Sequence, residues 1–282
     1  MRPTPHVLAG PGVFRGRDAP ALSPPTPWRR ADTRIGHVTP VALVTGSSRG
    51  LGFATAQALG RLGCRVIVTA RDQASADRAA ADLRANGYDT AGLALDVTSL
   101  DSVEAAANRV LALDGRLDIL VNNAGILPEA TDGEQHEFAS LALFRDTYAT
   151  NVFGPVAVTE AFLPLLRESP AGRIVNVSTT MGSLNDQANP ASPYYSTVVP
   201  AYQSSKAALN SVTIALAKKL ADTSIKVVSV CPGFVRTDLT PINREQAPLT
   251  AEQASEVVVR AATLPADAAS GTFFDQNGAV AW

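Results

Sequence analysis

Two short stretches hold residues whose types and spacing could do chemistry. In Tyr202-Gln203-Ser204-Ser205-Lys206 a phenol stands four positions before an ammonium, and on a helix that offset places both side chains on one face. An ammonium favours phenolate, so the pair predicts a phenol drawn from its usual pKa of about 10 toward working pH, suited to move protons at a carbonyl or alcohol. Tyr194 and Tyr195 meet only Val198 and Val199 at that offset, and Tyr202 alone among five tyrosines has a lysine there. The spacing also arises by chance. It gains meaning only beside a cofactor turn and a second hydroxyl.

The second stretch, VALVTGSSRGLG at 41–52, reads two ways. Gly46-Ser47-Ser48-Arg49-Gly50 fits G-x-S-x-G, the elbow that exposes a nucleophilic serine, which would make a hydrolase. Thr45-Gly46-x-x-x-Gly50-x-Gly52 is equally a glycine-rich turn whose backbone could cradle a pyrophosphate. Both need a strand before and a helix after. A hydrolase serine also needs a histidine late in the chain, and the three histidines stand at 6, 37 and 136, with none beyond. Ser48 therefore reads as a turn residue bonded to backbone or phosphate. Neither HExxH nor CxxC occurs, so no metal centre is expected.

These residues must be positioned by an alternation of short β-branched runs and alanine-rich helical stretches. Strands are predicted at 41–45, 65–70, 91–95, 117–121, 173–178 and 226–231, with a last one at 271–274, and helices at 52–62 and 74–85 between the first of them. That is an α/β, single-domain, doubly wound parallel sheet, Rossmann-like, with helices on both faces. Ligands of such sheets sit beyond the carboxyl ends of the strands. The second strand ends in Ala70-Arg71-Asp72, where an acid would accept from a free ribose and an arginine would pair with a 2′-phosphate. Arg71, with Arg49 in the glycine turn, favours NADP(H) over NAD. The third ends in Leu95-Asp96-Val97. Asp96 suits an adenine amino group or, alternatively, caps a helix near Ser99. The fourth ends in Asn122-Asn123-Ala124-Gly125, a turn suited to the cofactor floor or to an ordinary Asn-Gly connection.

Composition sets outer bounds. With 282 residues, 46% hydrophobic and 18% charged, the chain can bury a core and form one main domain. A net charge of −2 argues against a nucleic-acid binder. No run approaches the roughly 18 uninterrupted apolar residues of a membrane span, so no membrane partner is expected. Two cysteines, Cys64 and Cys231, read as buried free thiols in a reducing compartment, with a cytoplasmic location as the default. Residues 1–39 hold seven prolines and six arginines against two acids; they read as an unstructured extension or an over-long start, with the domain over 40–282.

TGSSRGLG, NNAG, the asparagine of TNVFG, VNVSTTMG, YQSSK and CPGFVRTDL together resemble the short-chain dehydrogenase/reductase family across residues 40–282. TARD, PGFVRTD and the ending FFDQNGAVAW are most similar to its NADPH-dependent carbonyl reductase branch. The resemblance implies hydride transfer between NADP(H) and a small carbonyl or alcohol substrate. In it Tyr202 is the acid/base, Lys206 binds the nicotinamide ribose and tunes the phenol, and Asn151 holds a water in a proton relay. Pro232 and Gly233 pass the nicotinamide with Thr237 near its carboxamide, and Leu51, Val97, Ala124 and Val235 complete the cofactor contacts. Subunits of many relatives pair through the helices around Asn151 and Tyr202, which allows a homodimer or homotetramer. One departure is that Thr179 stands where a serine is usual, with Ser178 before it. Threonine keeps the hydroxyl, but its methyl crowds the site. That departure leaves a second reading open, a non-catalytic NADP-binding scaffold or redox sensor. The stretch between Thr179 and Tyr202, with prolines 190, 193 and 200, predicts a loop over the pocket in which Leu184, Tyr194 and Tyr195 contact substrate or pack on the core.

Overall fold

The computed structural model describes residues 39–282; the expectation for the first 39 residues lies almost wholly outside them. Eight strands form one sheet: β1 (Val41–Val44), β2 (Arg65–Ala70), β3 (Thr90–Ala94), β4 (Ile119–Asn122), β5 (Arg173–Val177), β6 (Lys226–Val230), β7 (Thr272–Asp275) and β8 (Gly278–Ala279). Their order is β3-β2-β1-β4-β5-β6-β7-β8. All neighbours are parallel except β7 and β8. The seven expected strands are present, shifted by two residues at most. The terminal β8 was not foreseen, because two residues carry no readable period.

Helices fill the crossovers: α1 (Gly50–Arg61), α2 (Gln73–Ala85), α3 (Leu100–Asp114), α4 (Leu141–Tyr148), α5 (Gly154–Arg167), α6 (Leu184–Ala188), α7 (Pro200–Lys219), α8 (Pro241–Gln246) and α9 (Ala251–Ala262). Strand side chains alternate between two cores, as the two-residue period requires. Ala42 and Val44 of β1 pack with α1, α2 and α9 on one face. Val41 and Leu43 pack with α3, α5 and α7 on the other. Burying both faces is what makes these strands apolar throughout.

Strand β1 pairs with both β2 and β4, so successive crossovers leave β1 in opposite directions. The crevice beyond this switch point is where a doubly wound sheet holds its ligand. A π-helical turn at Ala149–Phe153 joins α4 to α5. The continuous run Leu141–Arg167 has the length and apolarity of a membrane span, with half of its apolar window buried in the protein; α5 contributes Val158, Phe162, Leu165 and Leu166 to the core. The loop expected between Thr179 and Tyr202 is partly helical: Ser183 accepts from Asp186 N and starts α6, α7 already begins at Pro200, and the chain is irregular from Asn189 to Val199.

Candidate active site

The glycine turn is built for close approach. Gly46 and Gly50 have φ of +60° and +58°, a left-handed region that disfavours side chains. A Cβ on Gly52 would lie 2.5 Å from Gly46 O and 2.6 Å from Asn123 Nδ2, so only glycine lets α1 seat against the turn. Ser47 is the buried serine here. Its Oγ donates to Val44 O at 2.7 Å and accepts from Thr69 N at 2.8 Å, tying the turn to β2. Asn123 Nδ2 donates to Thr45 O and Gly46 O, and Thr45 Oγ1 accepts from Asn123 N and Ala124 N. These bonds lace the ends of β1 and β4 together across the crevice. Asn122 instead turns inward, donating to Thr159 and Asn176.

One cleft of about 1530 Å³ runs along these strand ends. Gly46, Ser48, Arg49, Gly50, Leu51, Gly52, Arg71, Asp96, Val97, Asn123, Ala124 and Gly125 line it, as do Pro232, Gly233, Val235 and Thr237. Thr179, Tyr202 and Lys206 line the same cleft. Asp96 Oδ1 accepts from Thr98 N and Oγ1, while Ser99 caps α3, so the helix-cap alternative for Asp96 falls away. Arg49 stands 3.9 Å from Asp238 across the cleft. Thr237 would meet a Cβ on Gly50 at 3.4 Å, so the segment after Pro232 folds down over the glycine turn. Arg78, which sequence reasoning missed, adds a third arginine beside Arg49 and Arg71; it donates to Ser75 Oγ from the second turn of α2. A glycine-rich turn at the start of α1, with Arg49, Arg71 and Arg78 lining the same cleft, fits a dinucleotide with a 2′-phosphate.

At the other end, Tyr202 and Lys206 share one face of α7 and are both buried. Lys206 Nζ lies 5.8 Å from the Tyr202 ring centroid and donates to Val177 O at 2.8 Å. Gly182 makes this packing feasible, since a Cβ there would come within 2.7 Å of Lys206 Cβ. The expected lowering of the phenol pKa is corrected. Burial, followed by the neighbouring Cys231 and Tyr194, pushes Tyr202 above its ordinary value. Burial likewise lowers Lys206 to about 8. The ammonium has spent a donor on a backbone carbonyl, and desolvation of the phenolate outweighs it.

Thr179 Oγ1 accepts from Met181 N at 3.2 Å, leaving its O–H as a donor toward the cleft. Asn151 is fully buried in the π-turn, and its side chain brackets Ile126, accepting from N at 2.9 Å and donating to O at 3.0 Å. Its Nδ2 also reaches Ser205 Oγ of α7. The π-turn displaces the backbone bonding register around Asn151, a device common at functional sites. A Cβ on Gly125 would lie 3.4 Å from Asn151 Oδ1 and 3.5 Å from Lys206 Nζ, so the three residues converge. Tyr194 lines the cleft, whereas Tyr195 and Leu184 are exposed and do not.

Sequence reasoning also missed Glu129. The N-terminus of α7 lacks a side-chain cap at Val199 and has Pro200 in its first turn. Glu129, from the short turn after β4, supplies the cap: Ala201 N donates to Oε1 at 3.0 Å and Tyr202 N to Oε2 at 2.8 Å. Among the described residues no histidine serves Ser48. His136 is held by Asp132 at 3.0 Å in an exposed stretch outside the cleft, which removes the hydrolase reading. With Glu134 they form the grouping of potential metal donors found among the described residues, away from the chemistry.

Residues 40–248 match the model of the family described as short chain dehydrogenase. This chain belongs to the short-chain dehydrogenase family. A short-chain dehydrogenase of Penicillium roqueforti is 38% identical over 79% of this chain and 88% of its own. The (+)-neomenthol dehydrogenase of Arabidopsis thaliana is 32% identical over 84% of this chain and 96% of its own. Among solved structures, the NADPH-bound carbonyl reductase from chicken fatty liver superposes with a TM-score of 0.74 at 28% identity, covering 87% of this chain and 99% of the other. The chain is thus an oxidoreductase of this family, similar to its carbonyl reductases, with the expected fold.

Proposed function

We propose that this protein reduces an aldehyde or ketone with NADPH, Tyr202 acting as the general acid. The observation that carries the reading is convergence: Tyr202, Lys206 and Thr179 face one cleft that also contains the glycine turn and Arg49, Arg71 and Arg78. The dinucleotide would be held by Gly46, Gly50, Gly52, Asn123 and the three arginines, and its reduced nicotinamide supplies the hydride. Thr179 Oγ1, its acceptor side engaged by Met181 N, donates to the substrate oxygen and orients it. Tyr202 then gives that oxygen its proton. Burial that raises the phenol pKa keeps it protonated near neutral pH, the state an acid needs before reduction. Lys206 stabilises the phenolate left behind. Asn151 fixes Ile126 and the chain beside Lys206, so a water at the π-turn would return the proton.

The test follows NADPH absorbance with a panel of carbonyl compounds. Tyr202→Phe is expected to lower turnover by about 10²- to 10⁴-fold with NADPH affinity retained. Tight NADPH binding without turnover by the unmodified protein would leave the scaffold reading instead. A reducing, cytoplasmic setting belongs to the same proposal, supported by two free buried cysteines. So does a homodimer or homotetramer, supported by exposed Phe153 at the end of the π-turn and Val156 on α5.

A further inference from the structure

Beyond Thr179 one wall of the cleft is formed by Met181, Pro193, Tyr194, Thr197 and Val198. The segment that carries them has little core of its own. Between Leu184 and Val199 only Ser192 is buried, so a few hydrogen bonds, rather than packing, set where this wall stands. Gln187 Nε2 donates to Met181 O at 2.9 Å, which ties α6 to the turn after Thr179. Gln203 Nε2 donates to Thr197 O and its Oε1 accepts from Val199 N, which ties the far end to α7.

A third bond comes from a remote part of the sequence. Asn185 is the second residue of α6, where an N–H has no partner inside its own helix. It donates to Trp282 O at 3.2 Å. Trp282 is itself fixed, because its ring stacks on Phe273 with centroids 5.6 Å apart and planes at 30°. Val280 N also donates to Phe273 O at 2.8 Å, holding the intervening chain along β7. Phe273 is fully buried, and β7 pairs with β6 in the sheet. Contact thus runs from the sheet core through Phe273, Trp282 and Asn185 to the wall of the cleft.

Resting on the reductase reading, we infer that Trp282 is a positioning residue for the carbonyl substrate: its ring, stacked on Phe273, holds the backbone carbonyl that seats α6 and, through Gln187, the wall at Met181. Without the ring that carbonyl has no fixed place, and the Asn185 amide turns to water. The glycine turn is held by Ser47, Thr45 and Asn123, none of which touches this anchor, so the cofactor end stays as it is.

The test compares Trp282→Ala with Trp282→Phe, which can restack. Amide exchange is followed by mass spectrometry, NADPH affinity by cofactor fluorescence, and KM and kcat with a carbonyl compound that the unmodified protein reduces. In Trp282→Ala, exchange over residues 184–189 should quicken about three- to tenfold, the range an aromatic pair contributes, with α1 and α7 unchanged. KM should rise about threefold or more while kcat and the NADPH Kd stay within about twofold, the pattern of lost binding rather than lost chemistry. Trp282→Phe should restore both exchange and KM. Trp282→Leu, which keeps apolar cover over Phe273, carries the same expectations should the alanine protein not fold. Unchanged exchange at 184–189, an increase spread equally through β6 and α7, an increase that phenylalanine does not reverse, or released exchange with an unchanged KM would each overturn the inference. Faster exchange confined to 184–189 and reversed by phenylalanine, in a protein that binds NADPH and reduces no carbonyl compound, would sink the reductase reading and leave the Trp282 anchor standing.

Discussion

Replacing Glu129 by alanine strips α7 of the side-chain cap at its N-terminus. Two backbone amides, Ala201 N and Tyr202 N, lose a charged acceptor at 3.0 and 2.8 Å. Neither Val199 nor Pro200 can compensate, since Val199 makes no capping bond and Pro200 occupies the first turn. Loss of an N-cap costs about 0.5–2 kcal/mol, and two amides with an ionised partner put this one at the upper end, about 2 kcal/mol. On a domain of this size that corresponds to a fall in Tm of about 4–8 °C. Glu129→Gln keeps one good acceptor and should cost about half as much. The functional effect follows from geometry: Tyr202 is itself one of the two residues held, so fraying of the first turn moves the phenol. We expect kcat to fall about tenfold or more, since a displacement of about 1 Å can cost far more, while NADPH affinity changes little. Urea unfolding followed by circular dichroism and steady-state kinetics measure the two effects separately. An alanine variant within about 0.5 kcal/mol of the parent and with unchanged kcat would show that the first turn holds without Glu129.

Arg71→Ala and Arg78→Ala should each weaken NADPH about tenfold or more and NADH hardly at all, as read by cofactor fluorescence titration; equal losses would remove the 2′-phosphate contact. Gly52→Ala places a methyl 2.5 Å from Gly46 O, and should cost about 1–3 kcal/mol along with most dinucleotide affinity. Normal stability and binding there would show that α1 can retreat. Lys206 has a folded pKa of about 8 against 10.5 when unperturbed. Between those values the unfolded chain holds a proton that the folded one has released, so this residue makes stability rise with pH across that window. Lys206→Met should abolish that rise, measured as urea midpoints at the two ends of the window. An identical pH slope in both proteins would mean that the amine is not buried in the way described.

How much of this was legible beforehand depends on the range of the interaction concerned. The strands could be read because parallel strands buried on both faces are continuous apolar runs, and β1, β2 and β5 stand within a residue or two of where those runs predict them. The glycine turn was legible for the same local reason: positive φ at Gly46 and Gly50 and the missing Cβ at Gly52 leave a pattern inside eight residues. So did the four-residue offset that puts Tyr202 and Lys206 on one helical face. The Leu184–Ala188 helix escaped because prolines nearby masked a short capped turn, and β8 because its pairing comes from β7 alone.

What the amino-acid sequence determined by itself was therefore the order of strands and helices, the turn chemistry and the side chains available at each strand end. Tertiary structure alone decided their mutual influence. Glu129 caps a helix more than seventy positions away, and Arg78 reaches the cleft only because α2 lies along it. The phenol of Tyr202 moves upward in pKa because enclosure by distant segments desolvates it more strongly than its neighbouring ammonium can offset. Periodicity and turn preference act over a few residues and leave a trace in the sequence, whereas burial and long-range hydrogen bonding arise only when remote parts of the chain meet.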